Sequence, residues 1–224
     1  MYLLIIMTLH FNATNTFCIS LASKSDRWSR MVARFDFFDT RCTRWDASTP
    51  QNITANFLNY LNPGQRACAQ SHINIWYHMI QNNIDYALIL EDDARFHKKW
   101  LSHLKDIEPV LNNDPLWDCI FLNVSDPISP EYKWSVVQEQ YLTGAYIINI
   151  RGIKYILELF KNGFGASDWM TTRLQQRGHS YSFFPWLVIQ EGQESTIGSN
   201  CDADHQKVLR CLKNSSDTSI SDYI

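Results

Sequence analysis

The chain reads as an α/β protein, a three-layer α/β/α sandwich with a mostly parallel central sheet, and three observations predict this. Short apolar runs such as YALIL at 86–90 lack the polar alternation of a one-sided strand, which fits strands covered on both faces. Such runs alternate with segments of helical periodicity, without internal repeats. At 224 residues, one sizeable core is the default.

Taken in order, 16–21 (TFCISL) is the first strand, and the polar segment from Ala22 to Arg30 opens a helix capped by Ser25 or Asp26. The Asn-, Thr- and Pro-rich stretch 46–64 reads as loop. Within 65–81, Ile73, Trp76, Tyr77 and Ile80 recur at helical spacing, and Asn82-Asn83 ends that helix. Strand 86–90 follows, then a short amphipathic helix at 100–111, a turn at 112–115 and a strand at 119–124. Beyond a proline-rich turn at 126–130 come strand 143–150 and helix 153–160, closed by Gly163 and Gly165. Ser167 caps a helix at 168–176 that Gly178 stops, and 180–189 is an aromatic strand. From Cys201 onward the sequence is polar and reads as an irregular tail.

Net charge is −3 with acids and bases interspersed, which argues against a basic nucleic-acid face and points to a small or neutral partner. Eight Trp, ten Tyr and twelve Phe are a generous aromatic supply; most must be core, and the remainder suit sugar faces and bases. The apolar stretch from Tyr2 to Met7 lacks a basic flank and is far shorter than a membrane span, so it reads as a weak signal remnant or an edge strand. Six cysteines show no C-x-x-C pair and no zinc spacing. Cys18, Cys68 and Cys119 lie in apolar segments as buried thiols, and Cys201 with Cys211 is the one pair placed for a disulfide. Sequons at Asn12, Asn52, Asn123 and Asn214 leave the compartment, cytoplasm or secretory lumen, open.

The strand at 86–90 ends in Glu91, Asp92 and Asp93. Ligands of open α/β sheets gather at the carboxyl ends of strands, and three adjacent carboxylates there call for a divalent cation or another positive charge. Oxygen ligands favour Mg²⁺ or Mn²⁺ over zinc. The plainer alternative is a solvated acidic turn.

These residues lie within a longer series of matches. Ile19-Ser20-Leu21 with Asp26-Arg27-Trp28, then Gly64-Gln65-Arg66-Ala67-Cys68-Ala69-Gln70-Ser71-His72, Leu88 to Asp93, Thr143-Gly144-Ala145-Tyr146, Asp168-Trp169 and Pro185 with Gln190, Ser195 and Ile197 occur in the order of glycosyltransferase family 25, which the chain resembles over Phe17 to Asn200. That family holds lipooligosaccharide and collagen hydroxylysine galactosyltransferases. Ser20 stands where the family has Asn, and Gln65 and Ala67 where it has Glu and Gly; the first of those losses removes an acid–base candidate at 65. The resemblance implies a single GT-A-type domain over 1–200, with a nucleotide-sugar half at 15–95, an acceptor half at 96–200 and a polar tail at 201–224. It also implies a UDP-linked donor, inversion at the anomeric carbon, and a glycan or hydroxylated protein as acceptor.

By the same resemblance, Asp93 ligates Mn²⁺ or Mg²⁺ and Glu91 reaches the ion or the donor ribose, while Asp92 points elsewhere on the donor side. Gln190 or His205 is the expected late metal ligand. Ser20 and Leu21 lie under the base, Arg27 pairs with the diphosphate, and His72 hydrogen-bonds donor or acceptor; a surface Arg and a structural His are the plainer readings. Asp168 is the expected general base, against ordinary service to a helix start. Thr143-Gly144-Ala145 allows close backbone approach to a sugar or only marks a bulge, and Trp169 and Trp186 stack on a sugar or simply fill core. Two other classes fit the same residues less well: a non-catalytic carbohydrate-binding or scaffold protein, and a nucleotidyltransferase, for which no Gly-rich phosphate loop is seen.

Overall fold

A computed structural model describes residues 8–125, 133–184, 186–191, 201–214 and 219–224, with the side chains of 201–205 left out. Along the chain run β1 (Thr16–Ser20), α1 (Ser25–Phe37), β2 (Thr43–Asp46), α2 (Pro63–Gln81), β3 (Tyr86–Glu91), β4 (Ala94–Phe96), α3 (Trp100–Lys105) and α4 (Glu108–Asn113). These are followed by β5 (Cys119–Phe121), β6 (Lys133–Val136), β7 (Ala145–Asn149), α5 (Ile150–Leu159), α6 (Ser167–Gln175), β8 (Ser180–Phe184), β9 (Val188–Gln190), α7 (Cys201–Asn214) and a 3₁₀ turn (Ile220–Asp222).

The main sheet has the order β2-β1-β3-β7-β5-β8-β6. β2, β1, β3, β5 and β8 run one way, and β7 and β6 run against them. The period of two along each strand sorts side chains into two cores. Phe17, Ile19, Ala87, Ile89, Tyr146 and Ile148 face Ile73, Trp76, Ile153 and Met170 of α2, α5 and α6. Cys18, Leu88, Leu90, Ala145 and Ile147 face Met31 and Phe35 of α1 and Trp100 and Leu111 of α3 and α4. This is the expected sandwich, buried on both faces of its central strands.

Several boundaries differ for local reasons. Helix α1 is capped by Lys24 without a side-chain bond, not by Ser25 or Asp26, and α6 starts after Ala166, so Ser167 is inside the helix. The single helix expected over 100–111 is two, because Pro109 cannot continue a hydrogen-bond ladder and instead sits in the first turn of α4. The aromatic run 180–189 is two strands in different sheets: β8 joins the main sheet and β9 pairs antiparallel with β4. The tail is not irregular, since Cys201–Asn214 is helical and Val208 and Leu212 pack into the first core. Ten positions along one helix separate Cys201 from Cys211 by about 15 Å, beyond the roughly 7 Å a disulfide spans, and Cys211 is a free thiol. Residues Tyr2 to Met7, the turn at 126–130, Pro185, Ser195 and Ile197 lie outside the described residues.

Candidate functional site

At the carboxyl ends of β1 and β3 a cleft opens toward α2. Ile19, Leu21, Ala47, Ser48, Cys68 and Glu91 are among its lining residues, with Arg27 and Asp92 at one side. Helix α2 borders it because Asn62 and Gln65 form a reciprocal capping box, each side chain accepting from the other's backbone N–H at 2.8 and 3.0 Å, with Pro63 in the first turn. Gln65 therefore serves the helix start.

The acidic triplet marks where the chain leaves the main sheet. Glu91 ends β3, and after two intervening residues β4 begins its separate pairing with β9. Arg27 of α1 reaches across with one guanidinium nitrogen, 2.8 Å from Asp92 and 2.9 Å from Asp93. Asp93 also accepts from Gln190 Nε2 at 3.2 Å. That approach needs Gly144, since a Cβ there would lie 2.6 Å from the Gln190 side chain. Burial and the charge of Glu91 nevertheless push the Asp93 carboxyl up to about 7, and burial raises Asp92 as well. One guanidinium does not offset three carboxylates.

Opposite Glu91 stands a buried polar chain. Trp76 Nε1 donates to Tyr146 Oη at 3.2 Å, Tyr146 Oη contacts His72 Nδ1 at 2.9 Å, and His72 Nε2 faces Glu91 Oε1 at 3.4 Å. Trp76, Tyr146 and His72 are all inaccessible to solvent. With the Tyr146 hydroxyl donating to Nδ1, His72 carries its proton on Nε2 and donates to Glu91. Asp168, in the first turn of α6, accepts from the Trp169 backbone N–H at 2.7 Å. Burial raises its carboxyl, the Trp169 N–H lowers it, and the charge of Glu91 raises it again. The helix-start role and a basic carboxylate thus coexist.

The structure gathers Leu21, Arg27, His72, Glu91, Asp92 and Asp93 about one cleft, with Asp168 in electrostatic reach of Glu91 and His72. Asp92 does not point away, because Arg27 holds it beside Asp93. Ser20 is 1% exposed; its hydroxyl accepts from Arg44 at 3.2 Å and hydrogen-bonds the Asp92 carboxylate, so it supports that cleft residue from beneath. The His205 side chain lies outside the described residues. Trp186 is core at 2% exposure, whereas Trp169 is half-buried under the Arg173 guanidinium.

Sequence reasoning missed the cleft-facing side of Cys68, which is half-buried instead of buried and lies 3.9 Å from Ser167 Oγ. Ser167 in turn bonds Thr143 Oγ1 at 2.8 Å. The signal was the spacing of Cys68 and His72, four residues apart and hence on one helix face.

The sequence matches glycosyltransferase family 25 (LPS biosynthesis protein) over residues 13–125. A Haemophilus influenzae protein described provisionally as a glycosyltransferase is 26% identical over 177 residues, covering 72% of this chain and 63% of that protein. Xenopus laevis procollagen galactosyltransferase 1-B is 29% identical over 106 residues, 43% of this chain and 17% of that protein. Human inactive glycosyltransferase 25 family member 3 is 26% identical over 63% of this chain and 28% of that protein. The chain thus spans under two thirds of the length of each of these relatives. Among solved structures, a glycosyltransferase of the PBCV-1 major capsid superposes with a TM-score of 0.44 at 9% identity, over 86% of this chain and 97% of that one. With its family profile matching half of its length, the chain belongs to glycosyltransferase family 25.

Proposed function

We propose that this protein is a metal-dependent inverting glycosyltransferase that moves a hexose, galactose or glucose, from a UDP-sugar to a hydroxyl of a glycan or hydroxylysine-type acceptor. The observation that carries this reading is the acid cluster of Glu91, Asp92 and Asp93, whose Asp93 carboxyl stays raised despite Arg27, at a cleft with a second raised carboxylate, Asp168, in electrostatic reach of Glu91.

The residues fit a hard divalent cation: buried oxygen donors carry more negative charge than their one guanidinium offsets. Asp93 and Glu91 would hold Mn²⁺ or Mg²⁺, with Gln190 beside them. When bound, such an ion supplies positive charge against the departing diphosphate. Leu21 and the loop from Ala47 to Ser48 offer the nucleoside a wall of backbone and small side chains. Arg27, fixed by Asp92 and Asp93, presents its charge at the cleft edge. Asp168 accepts the proton of the attacking hydroxyl, a task its raised affinity for protons suits. His72 donates to Glu91 and orients that carboxylate.

The protein incubated with a panel of nucleotide sugars and Mn²⁺ is expected to release UDP from one donor, with release abolished by chelator, Asp93→Ala and Asp168→Asn. One observation favours a second reading, a non-catalytic protein that keeps the fold. Arg27 already bridges Asp92 and Asp93 within the protein, and the human relative is named inactive. That reading gains if no donor is turned over and UDP with Mn²⁺ gives no thermal shift.

A further inference from the structure

Cys68 and His72 stand one turn apart on α2 and face the end of β3, where Glu91 Oε1 lies 3.4 Å from His72 Nε2 and 4.0 Å from Cys68 Sγ. All three ligand atoms fall within 4.8 Å of one another. Bonds of about 2.0–2.3 Å around a tetrahedral centre set its ligand atoms roughly 3.3–3.6 Å apart, so these side chains need to draw together by on the order of 1 Å or less. A separate observation points the same way. His72 is fully buried and its Nδ1 is held by Tyr146, which Trp76 holds in turn, so the ring is fixed with Nε2 aimed at the cluster. Metal-bound histidines are held in this manner through their other nitrogen. Cys68 and Glu91 line the open cleft, which gives an ion a path in.

We propose that Cys68, His72 and Glu91 form a binding site for a thiophilic divalent cation of the zinc class, adjacent to the all-oxygen set of Asp93 and its neighbours and chemically distinct from it. Thiolate and imidazole donors select zinc over Mg²⁺ or Mn²⁺. Binding balances as follows: the Cys68 thiol loses its proton to solvent, the His72 ring moves its proton from Nε2 to Nδ1, and the Tyr146 hydroxyl turns its own proton off that contact so that Oη accepts from Nδ1–H. Each ion therefore releases one proton, and affinity rises with pH. Glu91 is common to both donor sets. If the proposed transferase reading holds, zinc at this site withdraws a carboxylate from the Mn²⁺ set and inhibits turnover.

The test is a Co²⁺ titration of chelator-treated protein followed by Zn²⁺ displacement. One equivalent of cobalt is expected to give a thiolate-to-cobalt charge-transfer band that zinc erases, absent in Cys68→Ser and retained in Asp93→Ala. In the unaltered protein, zinc is expected to slow alkylation of Cys68 at least roughly tenfold, because the bound thiolate is no longer a free nucleophile. No such band in folded protein, a band that survives Cys68→Ser, or alkylation indifferent to zinc overturns the proposal. UDP release depends on Asp93 and the cobalt band does not, so the failure of this site and the failure of the transferase reading are separately visible.

Discussion

Arg27 holds Asp92 and Asp93 with side chains only 8% and 14% exposed, and removing it leaves two buried carboxylates without their cation. Arg27→Leu is therefore expected to cost about 3–5 kcal/mol in urea unfolding; a loss near zero would mean that water already compensates the pair. Arg27→Lys, which keeps the charge but loses the planar fork, should recover part of that loss. Gly144→Ala tests the other side of the cluster. Its Cβ would meet the Gln190 Cγ and Cδ at 2.8 and 2.6 Å, displacing that side chain from Asp93 at a cost of about 1–3 kcal/mol, checked by thermal melting of Gly144→Ala beside Gln190→Ala. If the single changes do not overlap in the double variant, the two residues are not coupled. At this scale the sequence showed which residue types gather: Arg27 and Glu91 line the cleft, Asp93 and His72 contact them, and Asp168 lies in electrostatic reach of Glu91. It did not show that Asp92 and Asp93 share Arg27, or that the buried Tyr146 hydroxyl anchors His72, because both depend on pairings between segments more than fifty residues apart.

Helices α2 and α5 each depend on one residue at their start. Asn62→Ala removes the half of the capping box that the Asn62 side chain supplies to the Gln65 N–H and should destabilise α2 by about 1 kcal/mol, with Asn62→Ser retaining most of it. In the first turn of α5, Gly152 brings the helix against the Asp118 carbonyl, 2.9 Å from where a Cβ would stand. That oxygen is backbone and cannot swing aside, so Gly152→Ala should lower the unfolding free energy by about 1–3 kcal/mol despite the better helix propensity of Ala. A gain in stability would contradict this packing. Long or strongly apolar elements, α2, β1, β3 and β7, were legible because periodicity and burial agree in them. β2 (TRWD) and β6 (KWSV) are short, half-exposed edge strands of mixed composition, and β4 exists through its pairing with β9, so none has a local signal. Pro109 and the split of the aromatic run show the opposite error, one continuous pattern covering two elements.

At the scale of the molecule, Glu191 joins the end of β9 to α1 by accepting from both Arg30 and Arg34. Burial would raise its carboxyl, but the two arginines hold it below the ordinary value. A carboxylate with a depressed folded pKa contributes stability that is complete above its unfolded pKa and is lost as pH falls through the folded one. The urea midpoint should therefore fall on acidification below the usual glutamate range, and the Glu191→Gln variant should show a shallower fall from a lower starting point. An identical slope in both proteins would assign acid sensitivity elsewhere, for instance to Asp114, whose carboxyl burial would raise but His179 and Tyr181 hold low. The sandwich itself was predictable from alternating elements. The reversed β7 between β3 and β5 was not, because strand direction is set by long crossovers that leave no mark in any one segment.

The contact between Gln190 and Asp93 links positions 97 residues apart. During synthesis the amino-terminal strands leave the ribosome first, and contacts of such separation close late. A nascent chain halted before β9 emerges would present all three carboxylates of the triplet while lacking both Gln190 beside Asp93 and Glu191 beneath α1. The charge of the triplet is thereby in place before the late contacts that hold it, so that products truncated ahead of β9 carry the carboxylates without their Gln190 and Glu191 supports.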